Sequence, residues 1–311
     1  MKIVVTGGAG FIGANLCRTL LSTEGITEVT VVDDLSTGFE ANLDGVDVDL
    51  HKATILDPDA LDDAFAGAHS VVHLGARGSV PRSLADPWAS HEANASGTTQ
   101  VLEAARRAGD VHVVVASSSS VYGANKELPK RESMATRPLS PYAASKLATE
   151  SYTLAWQHAY GMPTLAFRFF NVFGPMQAAG HVYAAVVPVF VSAALDGRPL
   201  PVHGDGTQSR DFTYVGTVCE VLTRAAVDRV SAPEPVNLAF GTRTSLLEVI
   251  AILEDILGRP LEREHSEPRT GDVPHTQADN TRLQELFPGV TPVDLRDGLE
   301  RTVDWYRSTL G

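Results

Sequence analysis

Five short runs of β-branched and apolar residues, Lys2 to Thr6, Glu28 to Asp33, Ser70 to Leu74, Val111 to Ala116 and Thr164 to Phe169, recur with longer amphipathic stretches between them. Runs this continuously apolar read as strands covered on both faces, and strands joined through helices lie parallel. The pattern predicts an α/β fold built on a doubly wound parallel sheet. After Asn171 the rhythm breaks at Gly174-Pro175, Gly197-Arg198-Pro199 and Gly204-Asp205-Gly206, where a second, looser region begins. Glu234 to Phe240 reads as one more buried strand that returns to the first sheet, ahead of a helix from Ser245 to Leu257. The expected division is therefore interleaved. Residues 1–170, with 212–243 returning to them, form the sheet domain, and 171–311 form most of a smaller one.

The 311 residues carry 38 acidic and 25 basic side chains, a formal net charge of −13 that repels a phosphate backbone. Nucleic acid is not expected as a ligand, and an anionic small molecule has to be held by a few placed arginines and backbone amides. Cys17 and Cys219 stand in apolar helical contexts and are assigned no chemistry. No Cys-x-x-Cys frame or metalloprotease motif gathers the ten histidines, so no metal site is expected. The chain enters a strand at Lys2 without a charged leader, and no apolar span of about 18 residues follows. The expected location is the cytoplasm, with no membrane partner.

Gly7-Gly8-Ala9-Gly10-Phe11-Ile12-Gly13 follows the first strand and opens an amphipathic helix. Its glycines stand where a tight turn meets a helix N-terminus, so backbone amides can approach a pyrophosphate. Twenty residues beyond Gly13, Asp33 ends the next strand, where a carboxylate can accept both hydrogen bonds of a ribose diol. Asp33 and Asp34 together repel a 2′-phosphate, and no arginine adjoins them, which favours NAD over NADP.

Tyr142 and Lys146 lie four apart at the start of a helical stretch, on one face. A tyrosine titrates near ~10, and an ammonium beside it favours the phenolate, the form that acts as a base. Upstream, Ala116-Ser117-Ser118-Ser119-Ser120-Val121-Tyr122-Gly123 ends the strand Val113 to Val115, placing hydroxyls at the carboxyl edge of a parallel sheet, where ligands of such folds bind. Taken together, the glycine motif, Asp33, the serine run and the Tyr/Lys pair resemble the extended short-chain dehydrogenase/reductase family, and its nucleotide-sugar epimerase branch in particular. Further matches are Val32 to Gly38, His73 to Ser83, Phe167 to Pro175, Gly204 to Val215 and Arg269 to Asp272, so the resemblance spans nearly the whole chain.

The resemblance implies a Rossmann fold with a smaller, interleaved C-terminal domain for a UDP-sugar, tightly bound NAD, and a homodimer paired through the helices Trp88 to Ala108 and Ser140 to Tyr160. It makes Ser118 the catalytic hydroxyl, Tyr142 the base and Lys146 its electrostatic partner, which also holds the nicotinamide ribose. Along the cofactor it places Gly7, Gly10, Phe11, Ile12, Gly13, Asp33, Asp34, Ser36, Thr37, Gly38, Thr54, Ile55, Leu74, Gly75, Ala76, Asn94, Ala116 and Phe169, besides Tyr142 and Lys146. Around the UDP-sugar it places Ser118, Ser119, Asn171, Val187, Pro188, Pro201, His203, Arg210, Arg269, Asp272 and Thr276, with the two arginines supplying positive charge. Three positions depart from the pattern. Thr54 replaces an aspartate that contacts adenine in relatives, Gly78 replaces a residue that packs near the cofactor in some members, and Gly216-Thr217-Val218 lacks the usual aspartate after Tyr-Val.

Removing water across C5 and C6 of a sugar demands an extra acid and base. Dehydratases resembling this chain carry Asp-Glu just after the catalytic hydroxyl, where this chain has Ser119 and Ser120, and the glutamate of related decarboxylases is missing too. One base and one bound NAD fit reversible oxidation at a single carbon: inversion at C4 of UDP-glucose or UDP-galactose. Thr276 takes the gatekeeper position beside the hexose, where a small residue admits an N-acetyl group. UDP-glucuronate 4-epimerases share this framework. Asn171 and Ala178 speak against carboxylate recognition, while Arg77 and Arg82 are within range of supplying it. A non-catalytic NAD-binding regulator and an NDP-sugar reductase with exchangeable NADPH are the remaining readings. The intact Ser118, Tyr142 and Lys146 argue against the first, and Asp33-Asp34 against the second.

Overall fold

The computed structural model describes residues 1–180, 184–267 and 273–310. In chain order the elements are β1 (Lys2–Thr6), α1 (Phe11–Leu21), β2 (Glu28–Val32), β3 (Asp49–His51), α2 (Pro58–Phe65), β4 (Ser70–His73), α3 (Val80–Ala85), α4 (Pro87–His91), α5 (Gly97–Arg107), β5 (His112–Ser118), α6 (Pro141–Tyr160) and β6 (Thr164–Phe169). There follow β7 (Asn171–Phe173), α7 (Val186–Leu195), β8 (Leu200–His203), β9 (Ser209–Arg210), β10 (Phe212–Tyr214), α8 (Val215–Val227), β11 (Val236–Leu238), β12 (Thr244–Ser245), α9 (Leu246–Leu257), β13 (Arg263–Ser266), α10 (Thr281–Leu286) and α11 (Leu295–Leu310).

Seven strands form one parallel sheet in the order β11-β6-β5-β4-β1-β2-β3. Successive side chains of a strand point to opposite faces, and both faces here are covered. Ile3, Val5, Val29 and Val31 pack into one core with residues of α1 and α8, while Val4, Val71, Val113 and Val115 pack into another with Leu61 of α2 and Leu102 of α5. This two-sided burial is why the strands read as unbroken apolar runs. Because β1 has β2 on one side and β4 on the other, strand order reverses there, at the carboxyl ends where such sheets hold their ligands. β11 joins the far edge by pairing with β6, Val236 opposite Phe167. Among the described residues, no helix is long and apolar enough to cross a membrane.

The segment expected as one helix from Trp88 to Ala108 is instead α4 and α5 joined by a π-turn, Glu92–Ser96. Such a turn carries an extra residue and frees backbone groups, often where function requires it. The start of α6 is set more simply. Ser140 caps it, its hydroxyl accepting from Ala143 N at 3.1 Å, and Pro141 presets the first helical residue. Tyr142 is thereby fixed in the first turn.

Two buried histidines are held neutral. His112 meets the Ser70 hydroxyl through Nδ1 at 2.6 Å and the Val230 carbonyl through Nε2 at 2.9 Å, and burial pushes its pKa down to about 4. His73 is pushed down to about 3 by burial and, second, by Lys146. With folded-state values below the ordinary 6.5, the unfolded chain binds more protons in between. Their stabilisation is therefore full above 6.5 and lost as pH falls toward about 4 and about 3. Asp33 and Asp211, whose carboxyls burial holds above their usual range, act with the opposite sign, so the informative quantity is a difference. We expect the urea midpoint of His112→Gln, whose amide can still donate to Val230, to fall less steeply with acid than the parent's, by about one proton's worth of slope. Parallel slopes would contradict a buried neutral His112.

Candidate active site

The glycine turn leaves β1 at the point of strand-order reversal. Gly7 has φ +73°, and its N–H donates to the Val32 carbonyl at 2.8 Å. A Cβ on Gly7 would stand 2.7 Å from Gly75 N, and one on Gly13 would stand 2.2 Å from Gly7 O. Only glycine fits either place. Gly10 precedes α1, no side chain caps the helix, and Phe11 and Ile12 begin it. The helix start therefore stays open to an anion in the crevice.

Asp33, almost fully buried, follows β2. Its Oδ2 accepts from Ala9 N at 2.9 Å and its Oδ1 from Leu35 N at 2.8 Å, so the carboxylate ties the glycine turn to the second strand. Burial raises its pKa, and those two amides oppose the rise. Asp34 accepts from Ser36 N at 2.9 Å; Thr37 and Gly38 then lead to Phe39, whose amide donates to the Ala9 carbonyl at 3.0 Å. The Thr54 hydroxyl is taken within its own turn, accepting from Leu56 N at 3.3 Å. Ile55 packs over Gly75 and Gly97. On the β4 side, Leu74 N donates to Thr6 O at 3.0 Å and Gly75 N to Thr6 Oγ1 at 3.2 Å, with Ala76 next in line. These residues form a narrow turn, an open helix start and a carboxylate at the neighbouring strand end. The set fits a dinucleotide.

The second cluster lies along β5 and α6. Ser118 is the last residue of β5 and pairs in register with Phe169 at the end of β6. The Ser118 hydroxyl is within hydrogen-bonding reach of the Tyr142 phenol, and one helical turn on the Lys146 ammonium donates to the Ala116 carbonyl at 2.8 Å. Burial raises the Tyr142 pKa, with the Ser118 hydrogen bond working against the rise, and burial pushes Lys146 down to about 8. Asn94, from the π-turn, donates to Ser145 Oγ at 2.9 Å, and its side chain clasps the Arg77 backbone from both sides. Ser118, Tyr142, Lys146, Ala116 and Phe169 thus stand together, Asn94 reaches them through Ser145, and Ser119 opens the 3-10 turn Ser119–Tyr122.

Asn171, Val187, Pro201, His203 and Arg210 line one cavity of about 240 Å³, together with Gln177, Gln208 and Phe212. Pro188 is buried in the first turn of α7, and the wall there belongs to its neighbours Val187 and Val189. Thr276 adjoins this cavity, its Oγ1 accepting from Asn171 Nδ2 at 3.4 Å and its amide donating to Ser209 O at 3.0 Å. Arg269 and Asp272 lie outside the described residues.

Residues 3–239 match the model of the NAD dependent epimerase/dehydratase family. The chain belongs to that family. NAD is accordingly its cofactor, in keeping with the fit of the glycine turn and Asp33. Among similar proteins is a UDP-glucose 4-epimerase of Mycolicibacterium smegmatis, 36% identical and matched over 99% of both chains. Among solved structures are a UDP-N-acetylglucosamine 4-epimerase from Methanobrevibacter ruminantium in complex with UDP-N-acetylmuramic acid, with a TM-score of 0.93, 33% identity and 99% of this chain and 98% of that one covered, and a UDP-glucuronic acid 4-epimerase from Bacillus cereus in complex with UDP-glucuronic acid and NAD, with a TM-score of 0.89, 30% identity and 99% and 100% covered.

Several supporting residues of this family member were not singled out from sequence. Thr98 and Thr149 both donate to the Asn94 carbonyl, at 2.5 and 2.9 Å, and His73 joins Thr98 to Thr6. His69 and His73, four residues apart around β4, have separate partners: the His69 ring meets the Val227 carbonyl at 3.0 Å, and the His73 ring lies between Thr6 and Thr98. Behind β5, Glu150 and Arg168 form a buried two-point ion pair at 2.6 and 2.9 Å. An arginine inside the apolar run Phe167 to Phe170 was the available signal, because a buried guanidinium demands a partner. We expect Gly13→Ala to fold and to copurify with at least about tenfold less NAD than the parent, read by extracting and quantifying bound nucleotide; unchanged NAD content would show that the turn does not cradle the cofactor.

Proposed function

We propose that this protein is an epimerase that inverts C4 of a UDP-hexose, acting on UDP-glucose and UDP-galactose and also on the N-acetylhexosamine forms. The observation that carries the reading is the convergence of Ser118, Tyr142 and Lys146 at the end of β5, with hydroxyls and no carboxylates at the two positions that follow. The residues expected to hold NAD are those of the glycine turn, Asp33 and Lys146. When bound, NAD supplies a hydride acceptor and donor for C4 and a positive charge beside Tyr142.

The chain's own residues handle the proton. Tyr142 takes it from the C4 hydroxyl as a 4-keto sugar forms and returns it after the sugar has turned, so stereochemistry inverts without net oxidation. Lys146 favours the phenolate, and the Ser118 hydroxyl hydrogen-bonds the Tyr142 oxygen. Asn171, His203 and Arg210 hold the UDP portion in the adjoining cavity. Thr276, beside Asn171, leaves room for an N-acetyl group. We propose the interleaved division already outlined, 1–170 with 212–243 for the cofactor and 171–311 chiefly for the sugar nucleotide. The same reading includes a cytoplasmic location and a homodimer, the dimer supported by exposed Leu84, Trp88, Tyr152 and Tyr160 on α3, α4 and α6.

The test is to incubate the purified protein with UDP-glucose, UDP-N-acetylglucosamine and UDP-glucuronate separately and resolve the C4 epimers by chromatography. Interconversion of the first two is expected. Conversion of UDP-glucuronate alone would transfer the assignment to a uronate epimerase, and no conversion of any would contradict the epimerase reading. Tyr142→Phe is expected to lower turnover by about 10²- to 10⁴-fold. Thr276→Tyr is expected to abolish activity on the N-acetylated sugar while sparing UDP-glucose, and an equal effect on both would remove Thr276 from specificity.

A further inference from the structure

The third serine after Ser117 stands where related dehydratases and decarboxylases place a carboxylate, yet its side chain turns back rather than outward. Ser118 Oγ accepts from Ser120 N at 3.2 Å and from Ser120 Oγ at 2.9 Å. A hydroxyl has two acceptor lone pairs and one proton to give. With both lone pairs filled by one residue, the only hydrogen bond left to Ser118 is the one it donates. We infer that Ser120 is a positioning residue, which makes the Ser118 hydroxyl a one-way donor toward the Tyr142 oxygen. This deepens the proposed reaction and rests on its assignment of Ser118 and Tyr142.

Direction matters because the same pair of oxygens can bond in two senses. If Ser118 donates, the bond favours the phenolate; if Ser118 accepts from the phenol, it favours the protonated form. Donation to a charged acceptor is also strengthened when the donor oxygen itself accepts hydrogen bonds. The surroundings hold Ser120 in place. Gly123 N donates to Ser120 O at 3.1 Å and Arg137 N to Val121 O at 3.0 Å, while Val121 and Tyr122 are fully buried and the Tyr122 hydroxyl donates to Asn237 Oδ1 at 2.6 Å. Removing the Ser120 hydroxyl therefore leaves the backbone turn and its amide bond to Ser118, and opens one lone pair through which Ser118 can accept the phenolic proton.

The experiment titrates Tyr142 in the NAD-loaded enzyme by phenolate absorbance, taking the difference from Tyr142→Phe to remove the other tyrosines, and repeats it in Ser120→Ala and Ser120→Thr. The Ser120→Ala phenol should titrate higher, by about half a unit to one unit. The acid limb of kcat/KM should move with it, lowering activity about three- to tenfold on that limb and restoring it on the alkaline plateau. Ser120→Thr, which keeps the hydroxyl, should titrate like the parent. An unmoved titration in Ser120→Ala, or a loss of activity equal at every pH, overturns the inference while leaving the epimerase reading standing, provided Tyr142→Phe is inactive. Full activity in Tyr142→Phe removes the base itself, and both fall.

Discussion

The ammonium of Lys146 is the charge around which the rest of the site is organised. It is almost fully buried, and the partner it shows among the described residues is a carbonyl, Ala116 O, rather than a carboxylate. Taking an ion out of water costs several kcal/mol even after relaxation, and a dipole recovers only part of that. A nearby acid would be the ordinary remedy. Glu150, one turn further along α6, is withheld from Lys146 by Arg168, which takes both carboxylate oxygens, and by Ser117, which donates at 3.1 Å. The positive charge is thus left to the Ala116 carbonyl, and its pKa is depressed by burial. Such a group is a cost to folding and, beside a phenol, favours its ionised form.

The same frugality with charge appears on the other side of the lysine. His73 could compete for the positive charge, but it is locked neutral in a hydrogen-bond chain whose direction follows from its members. Thr98 and Thr149 give their protons to the Asn94 carbonyl, so Thr98 Oγ1 has to accept from His73 Nε2–H at 3.1 Å. His73 Nδ1 then accepts from the Thr6 hydroxyl at 2.7 Å, and Thr6 Oγ1 accepts from Gly75 N. One tautomer satisfies every group. The chain runs from the glycine turn to α6, and the π-turn is what exposes the Asn94 carbonyl to receive it. The glycine turn and α6 are held in register by neutral groups that leave the local potential to Lys146.

Much of this was legible in the residues because local rules carry it. The buried strands, the glycine turn, Asp33 and the Ser140-Pro141 start of α6 each declare themselves within a few positions, through apolar runs, turn chemistry and capping. The pieces that were not legible depend on partners far along the chain. β7 and β10 have three residues each and meet only because Asn171 pairs with Phe212, so neither has enough length to show a period. Asn237 serves Tyr122, Lys130 and Asp279 from three separate segments, and no spacing rule announces that. The π-turn hides inside a sequence that otherwise reads as continuous helix.

Asp211 shows how the two halves of the site are joined. It sits one residue past Arg210, between β9 and β10, with a fully buried carboxylate. Gly241 N, Ala278 N and the Thr242 hydroxyl donate to it at 3.0, 2.9 and 2.9 Å, and Asn171 N donates to its carbonyl at 3.2 Å. An unpaired carboxylate at this depth would be untenable without such donors, which oppose the desolvation that raises its pKa. Because the donors to the carboxylate come from the segment after β11 and from the stretch around Thr276, satisfying this one acid brings those two together, while β7 joins through the Asp211 backbone carbonyl. The Asp211 carboxylate thus fixes the stretch that carries Thr276, and its backbone fixes Asn171 in the cavity wall. The cavity and the sheet edge that carries Ser118 then share a border at the β6–β7 junction, where Phe169 and Asn171 stand two residues apart.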